Sequence, residues 1–298
     1  MRTILVAVAF AATLAALLGS AGADDPAPDW KPIGDLLGVA GKVLPDGTYR
    51  IDVPRAQPQL RNEFGFPVPP SSVLTYAAFM GTPAESSVVG DTCLLGEEVN
   101  PVLDALRAGG IEVVAIHNHM LGGSPTFFFL HFQGRGATPA LATTIRGAWD
   151  EMKKEHPLPK REHKMAPKPD WNAVSAAMGR PGTRLDDGMY KIGLPRPHLG
   201  TTLDGKPVLA GAVPACWAGF APCECGFTML MGDTCLLRSE LQQAIDGYRK
   251  HGIRVVAIHN HMLGTSPELI FCHFAAEGDA VELARAIHSV WEPLLPPK

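Results

Sequence analysis

The hydrophobic and polar positions of this chain repeat. The string VVAIHNHMLG stands at Val113–Gly122 and again at Val255–Gly264, 142 positions apart. Self-similarity at this spacing marks a duplication. Both strings begin as an apolar β-type run and end in His-x-His. A second β-type run follows each, FFFLHF and LIFCHF, carrying His131 and His273. The first halves of the copies align as well, with Pro54-Arg55 matching Pro195-Arg196 and Gly38 matching Gly179.

Alternation predicts short strands at TYRIDV and MYKIGL, ended by Pro54 and Pro195, then strands near Tyr76–Phe79 and Trp217–Phe220 and strands closing on GDTCLL. Helical spacing follows. Val99, Val102, Leu103 and Leu106 recur at i, i+3, i+4 and i+7 within Glu97–Ala108, and Gly109-Gly110 ends the segment. Ser239–His251 repeats that pattern, and closing helices are expected over Pro139–Met152 and Ala280–Trp291. The fold class read from this order is α+β: two tandem homologous repeats, each an antiparallel sheet with two helices packed on it. The expected organisation is a signal peptide at 1–23, repeats at 24–152 and 170–298, and a linker at 153–169 rich in Lys, Pro and His.

At 298 residues the chain is long enough to bury a core in each repeat. Its hydrophobic content of 46% against 19% charged residues is that of a globular protein. A net charge of -4 provides no basic field for phosphates, so no nucleic-acid partner is expected. Arg2, the apolar run Ile4–Leu18 and Ala21-Gly22-Ala23 read as a cleavable export signal, cut after Ala23. No later segment is apolar enough to span a bilayer. The mature chain is therefore expected in the periplasm or outside the cell. Cys93 and Cys235 recur in both copies and read as packed thiols, whereas a disulfide among Cys216, Cys223 and Cys225 suits the exported setting.

The candidate chemistry rests on imidazole. In strand alternation Val113, Ala115, His117 and His119 share one surface, and Val114, Ile116 and Asn118 the other. If the tight GGSP or GTSP connection makes the next strand an antiparallel neighbour, His131 joins His117 and His119, and His273 joins His259 and His261. Glu98 and Glu240, on the inward stripe at each helix start, are candidate fourth ligands, although helix-dipole complementation explains them equally. Asp91 and Asp233 read first as turn or capping residues. Neutral imidazoles with a carboxylate suit zinc, copper, iron or manganese, with nothing here to distinguish them. A metal-dependent hydrolase or oxidoreductase is one consequence. The alternative is a non-catalytic envelope or ligand-binding module in which the histidines are structural. Catalytic residues, substrate and oligomeric state are not legible.

The elements GDTCLL, helix, VVAIHNHML, Ser-Pro and His-Phe resemble the LppY/LpqO family of exported bacterial proteins, from about Trp30 to Trp291. That resemblance implies location and architecture and, for a domain of unknown function, no activity. Several members resemble lipoproteins, yet no cysteine follows the signal here.

Overall fold

The structure is a computed structural model describing residues 28–55, 57–62, 67–68, 70, 73–119, 122–156, 169–208, 215–222 and 227–296. The expected signal segment, most of the linker, Cys223 and Cys225 lie outside the described residues.

The first repeat contributes β1 (Lys42–Val43), β2 (Tyr49–Pro54), β3 (Leu74–Gly81), β4 (Glu85–Leu95), β5 (Glu112–His117) and β6 (Phe127–Ala137) to one large sheet. The second contributes β7 (Thr183–Arg184), β8 (Tyr190–Leu194), β9 (Cys216–Pro222), β10 (Thr228–Leu237), β11 (Arg254–His259) and β12 (Leu269–Gly278). Their order is β1-β2-β3-β4-β6-β5-β11-β12-β10-β9-β8-β7, antiparallel at every step. The α+β class therefore holds, and the two expected sheets are one continuous sheet.

Among the described residues each repeat has three α-helices rather than two: α1 (Lys31–Leu37), α2 (Val99–Ala108) and α3 (Thr138–Glu151), then α4 (Trp171–Met178), α5 (Arg238–Lys250) and α6 (Ala280–Trp291). The unanticipated α1 and α4 bury only Ile33, Gly34 and Leu37, and Val174 and Met178. Both stop at glycines in the left-handed region, Gly38 at φ 70 and Gly179 at φ 66. Helix and sheet residues from both repeats, among them Leu103, Phe132, Ile145, Ile245, Phe274 and Ile287, form one continuous buried core.

Strand alternation within β5 departs from expectation. Val113 pairs with Phe132 but Ala115 with His131, so Val114 is the extra residue of a β-bulge. The bulge resets the alternation. Val113 and Ile116 both become buried while Val114 stays exposed, and Ala115 and His117 turn to the other face. The second repeat carries the same shift between Val255 and Ala257.

The repeats join across β5 and β11, where Ile116 pairs with its own equivalent, Ile258. Beyond that one ladder position, side-chain amides replace the backbone partner. Gln242 accepts from Val113 N at 3.1 Å and donates to Val113 O at 2.8 Å. Asn100, the equivalent of Gln242, accepts from Val255 N at 3.0 Å and donates to Val255 O at 3.2 Å. Arg107 forks onto Asp246 and Arg249 onto Asp104. Each of these contacts thus has its mirror, as in an isologous dimer interface. Gln242→Ala strands a donor and an acceptor of Val113 together; a loss of about 1–3 kcal/mol is expected in urea unfolding.

Candidate metal centre

Each candidate centre is built on the face of the sheet opposite the helices. On β4, Asp91 stands in register with His131 of β6, and His131 with Ala115 of β5; His117 lies two residues beyond Ala115 on the same face, opposite Phe129. The second repeat repeats this with Asp233, His273, Ala257, His259 and Phe271. The register that follows from each hairpin therefore sets an aspartate beside the return-strand histidine. Two glycines preceding the aspartates make room for the neighbouring strand: a Cβ on Gly232 would stand 2.3 Å from both the Phe274 ring and Trp217 O, and one on Gly90 2.1 Å from the Phe132 ring.

In the second repeat, one ligand atom each from Asp233, His259, His261 and His273 lies within 4.8 Å of the others, a group that could hold a metal ion. Asp233 is 2% exposed. Its Oδ2 stands 3.3 Å from His261 Nε2 and 3.7 Å from His273 Nε2, and its Oδ1 has no hydrogen-bond partner among the described residues. A buried carboxylate oxygen without a donor is costly unless a cation satisfies it. His273 Nδ1 lies 3.2 Å from Gly232 O; a carbonyl only accepts, so Nδ1 carries a proton, and the tautomer this selects in a neutral ring has its lone pair on Nε2. His259 Nδ1 meets Asn260 O at 3.4 Å with the same consequence. Burial pushes the His261 imidazole below its ordinary range despite the nearby Asp233, which keeps it neutral and able to ligate.

The first repeat gathers the same residue types less tightly. The ring contacts match, with His117 on His131 at 4.8 Å against His259 on His273 at 4.9 Å, and His119 on Phe129 at 3.4 Å against His261 on Phe271 at 3.7 Å; the difference lies at the carboxylate. His131 Nδ1 and Asp91 Oδ1 are 3.9 Å apart. Asp91 is buried, which pushes its carboxyl above the usual range, and its Oδ1 also has no hydrogen-bond partner among the described residues. Burial, then neighbouring histidines, lower His117; burial lowers His119. Asn118 and Asn260, retained between the paired histidines, hold the chain turn by donating to Phe127 O and Leu269 O at 2.8 and 3.0 Å.

The structure places Glu98 and Glu240 elsewhere. Glu98 receives a bidentate guanidinium from Arg55 at 2.7 and 2.8 Å and the Leu95 amide at 2.7 Å. Glu240 receives Arg196 at 2.7 and 2.6 Å and the Leu237 amide at 2.7 Å. These carboxylates are committed to buried ion pairs and helix starts, and the aspartates stand where a fourth ligand was sought. The pairing of Arg55 with Glu98 and of Arg196 with Glu240 had a signal in the sequence, since all four are matched between the copies.

Cys93, Cys216, Cys235 and Cys272 are buried free thiols. Burial pushes Cys93 and Cys216 up to about 12 and Cys235 to about 11, so none of these three supplies a thiolate nucleophile near neutral pH. Cys216 is seated in β9 with its Sγ against Cys235 O at 3.6 Å, not in a disulfide. Among the described residues no helix is long and apolar enough to cross a membrane.

Among solved structures, the chain is similar to a trimeric bacterial microcompartment shell protein, PduB, at 14% identity over 86% of this chain and 90% of that one, with a TM-score of 0.21. It is similar to EtuB from Clostridium kluyveri at 9% identity, covering 85% and 90%, with a TM-score of 0.22. The double ringed trimeric shell protein MSM0271 from the RMM microcompartment gives 14% identity, 84% and 96% coverage, and a TM-score of 0.19. Superposition this poor carries no inference about function. No curated protein matches. A family model described as Domain of Unknown Function (DUF1259) matches twice, over residues 31–151 and 172–292, and the chain belongs to that family as two tandem copies.

Proposed function

We propose that this is an exported protein of the LppY/LpqO type that binds a transition metal, through His259, His261, His273 and Asp233 in the second repeat and, more weakly, through His117, His119, His131 and Asp91 in the first. The observation that carries this reading is the orphaned Oδ1 of buried Asp233 among three imidazole nitrogens. Three neutral nitrogens and one carboxylate suit zinc, copper(II), iron(II) or manganese. Asp233 is shielded, but the His259, His261 and His273 side chains reach the surface, so a further ligand can approach from the open face. A metal held there would supply Lewis acidity or an activated water, the basis of a hydrolase or oxidoreductase reading. The non-catalytic alternative draws on ring stacking, which both repeats share: His117 on His131 and His119 on Phe129, His259 on His273 and His261 on Phe271.

The test is metal analysis of purified protein. Wild type reconstituted with zinc or copper(II) is expected to retain metal after desalting. His259→Ala should remove most of it and His117→Ala the smaller share. Protein that retains none, with variants that lose only stability, returns the histidines to a structural role.

A further inference from the structure

We propose that the ligand received by the second centre is a small aromatic molecule with an oxyanion at each end, one held by the metal and the other by Lys191. This deepens the metal reading and rests on it. Trp217 of β9 stands in register with Asp233 of β10, and Asp233 with His273 of β12, so all three share one face. Neighbouring strands are about 4.8 Å apart, which sets Trp217 directly beside the buried carboxylate. The next row on that face is Lys191 of β8, Gly219 of β9, Met231 of β10 and Ala275 of β12. A Cβ on Gly219 would stand 2.6 Å from Met189 Sδ and 3.4 Å from Trp217 Cζ3, so the indole lies across this glycine, between Lys191 and Met231. Lys191 Nζ is 5.1 Å from the ring centroid. Met231 is 56% exposed and Met229 47%. Beside the histidine cluster there is thus an apolar floor, open to solvent, with a cation at its edge.

The first repeat has the same arrangement with its cation already engaged. Tyr76 stands in register with Asp91, and the Arg50 guanidinium lies 4.0 Å over the Tyr76 ring. Both residues differ between the copies, Tyr76 from Trp217 and Arg50 from Lys191, yet the pairing of cation with aromatic ring is kept. Arg50 Nε donates to Asp52 at 2.7 Å, and Lys42 lies 3.8 Å from the same carboxylate. In the second repeat Gly193 stands at the position of Asp52, and no carboxylate is paired with Lys191 among the described residues. Met231 and Met229 also stand where the first repeat has Val89 and Ser87. The free cation and the larger apolar floor therefore belong to the repeat with the tighter histidine cluster.

Charge and shape together name the ligand. Three neutral imidazoles and one carboxylate around a divalent ion leave one positive charge, and Lys191 adds a second on the same face. A cationic ligand is repelled at both ends and a dianion is attracted at both. Between the ends the indole offers a ring to stack on and Met231 a polarizable thioether, both of which favour an aromatic body. Asp233 and Lys191 are two strand spacings apart, about 10 Å. A benzene ring with carboxylates at opposite ends covers that span once the metal–oxygen and ammonium–oxygen contacts are counted.

Calorimetric titration of the zinc-reconstituted full chain with terephthalate and its monomethyl ester tests the proposal, with zinc content measured first in every protein. The two probes share a shape, but the ester keeps only one carboxylate. Terephthalate is expected to bind about six- to tenfold more tightly: about twofold because either end can meet the metal, and the rest from the ion pair with an exposed lysine. The preference should shrink toward twofold at high salt. Lys191→Gln should bring it to about twofold at any salt, with zinc content as in wild type. Trp217→Leu keeps an apolar side chain without the indole and should weaken both probes several-fold. If Trp217→Leu fails to fold, Lys191→Gln, a change at an exposed position, still decides. Zinc-loaded wild type that binds neither probe or prefers terephthalate by no more than twofold, a preference that survives in Lys191→Gln, or affinity undiminished in folded Trp217→Leu overturns this inference and leaves the metal reading standing. Wild type that retains no zinc overturns the metal reading and this inference with it, so the zinc measurement tells the two failures apart.

Discussion

Glu98→Ala is expected to destabilise the protein by about 3–5 kcal/mol, the usual consequence of leaving one partner of a buried ion pair alone. The side chains of Arg55 and Glu98 are 7% and 5% exposed, so water cannot take over solvation of the abandoned guanidinium. The same carboxylate accepts from the Leu95 amide, so the start of α2 is loosened as well. In the second repeat Glu240 is 20% exposed, and Glu240→Ala should cost less. Urea unfolding followed by circular dichroism measures both. A loss under about 1 kcal/mol for Glu98→Ala would show that this pair is solvated, against the burial described here.

The second large effect concerns metal affinity. At a free metal concentration near 100 times its dissociation constant, a bound ion stabilises wild type by about 2.7 kcal/mol. Asp233→Asn removes the one anionic donor and is expected to weaken binding by about 100-fold or more, a larger effect than loss of an outer-shell partner. At the same metal concentration the stabilisation then falls to about 0.4 kcal/mol or less. The pH dependence has a definite sign. His261 is held below its ordinary value in the folded chain, so the unfolded chain takes up its proton first, near pH 6.5. The contribution of this neutral imidazole is complete above that pH and lost as the pH falls toward the depressed folded value. Protons compete with the metal for the same nitrogens, so the metal-induced rise in melting temperature should shrink on acidification below about pH 6.5. A rise unchanged between pH 7.5 and 5 would exclude imidazole ligation.

The trio of histidines was legible because its spacing is local: a His-x-His pair, a short connection, and a return strand of the right parity. The expected convergence of His131 with His117, and of His273 with His259, follows from that hairpin alone. Asp91 and Asp233 were less visible because their neighbours are decided by pairing between β4 and β6, or β10 and β12, with a helix and another strand intervening. The bulge at Val114 was hidden for a different reason. Alternation assumes an unbroken ladder, and a single inserted residue reverses the side on which Val113 falls. Of the two readings open for Glu98, its place at the helix start is the one the hydrogen bonds show, while the charge it meets was hidden because it comes from Arg55, 43 residues earlier. The short helices α1 and α4 carry too few apolar positions for a period to stand out. Their Gly38 and Gly179 stops were visible among the matches between copies but had no helix assigned to them.

The reciprocal seam has a consequence for how the two halves can evolve and operate. A lone half would present the edge of β5 unpaired, an invitation to add a strand from another molecule. Two such halves on separate polypeptides would have to find one another by collision and would part on dilution. Tethered in one polypeptide, they meet at an effective concentration that no dilution lowers. Fusion also removes the obligation of sameness: a substitution in one half need not appear in the other, so the two halves are free to diverge while the seam between them is kept.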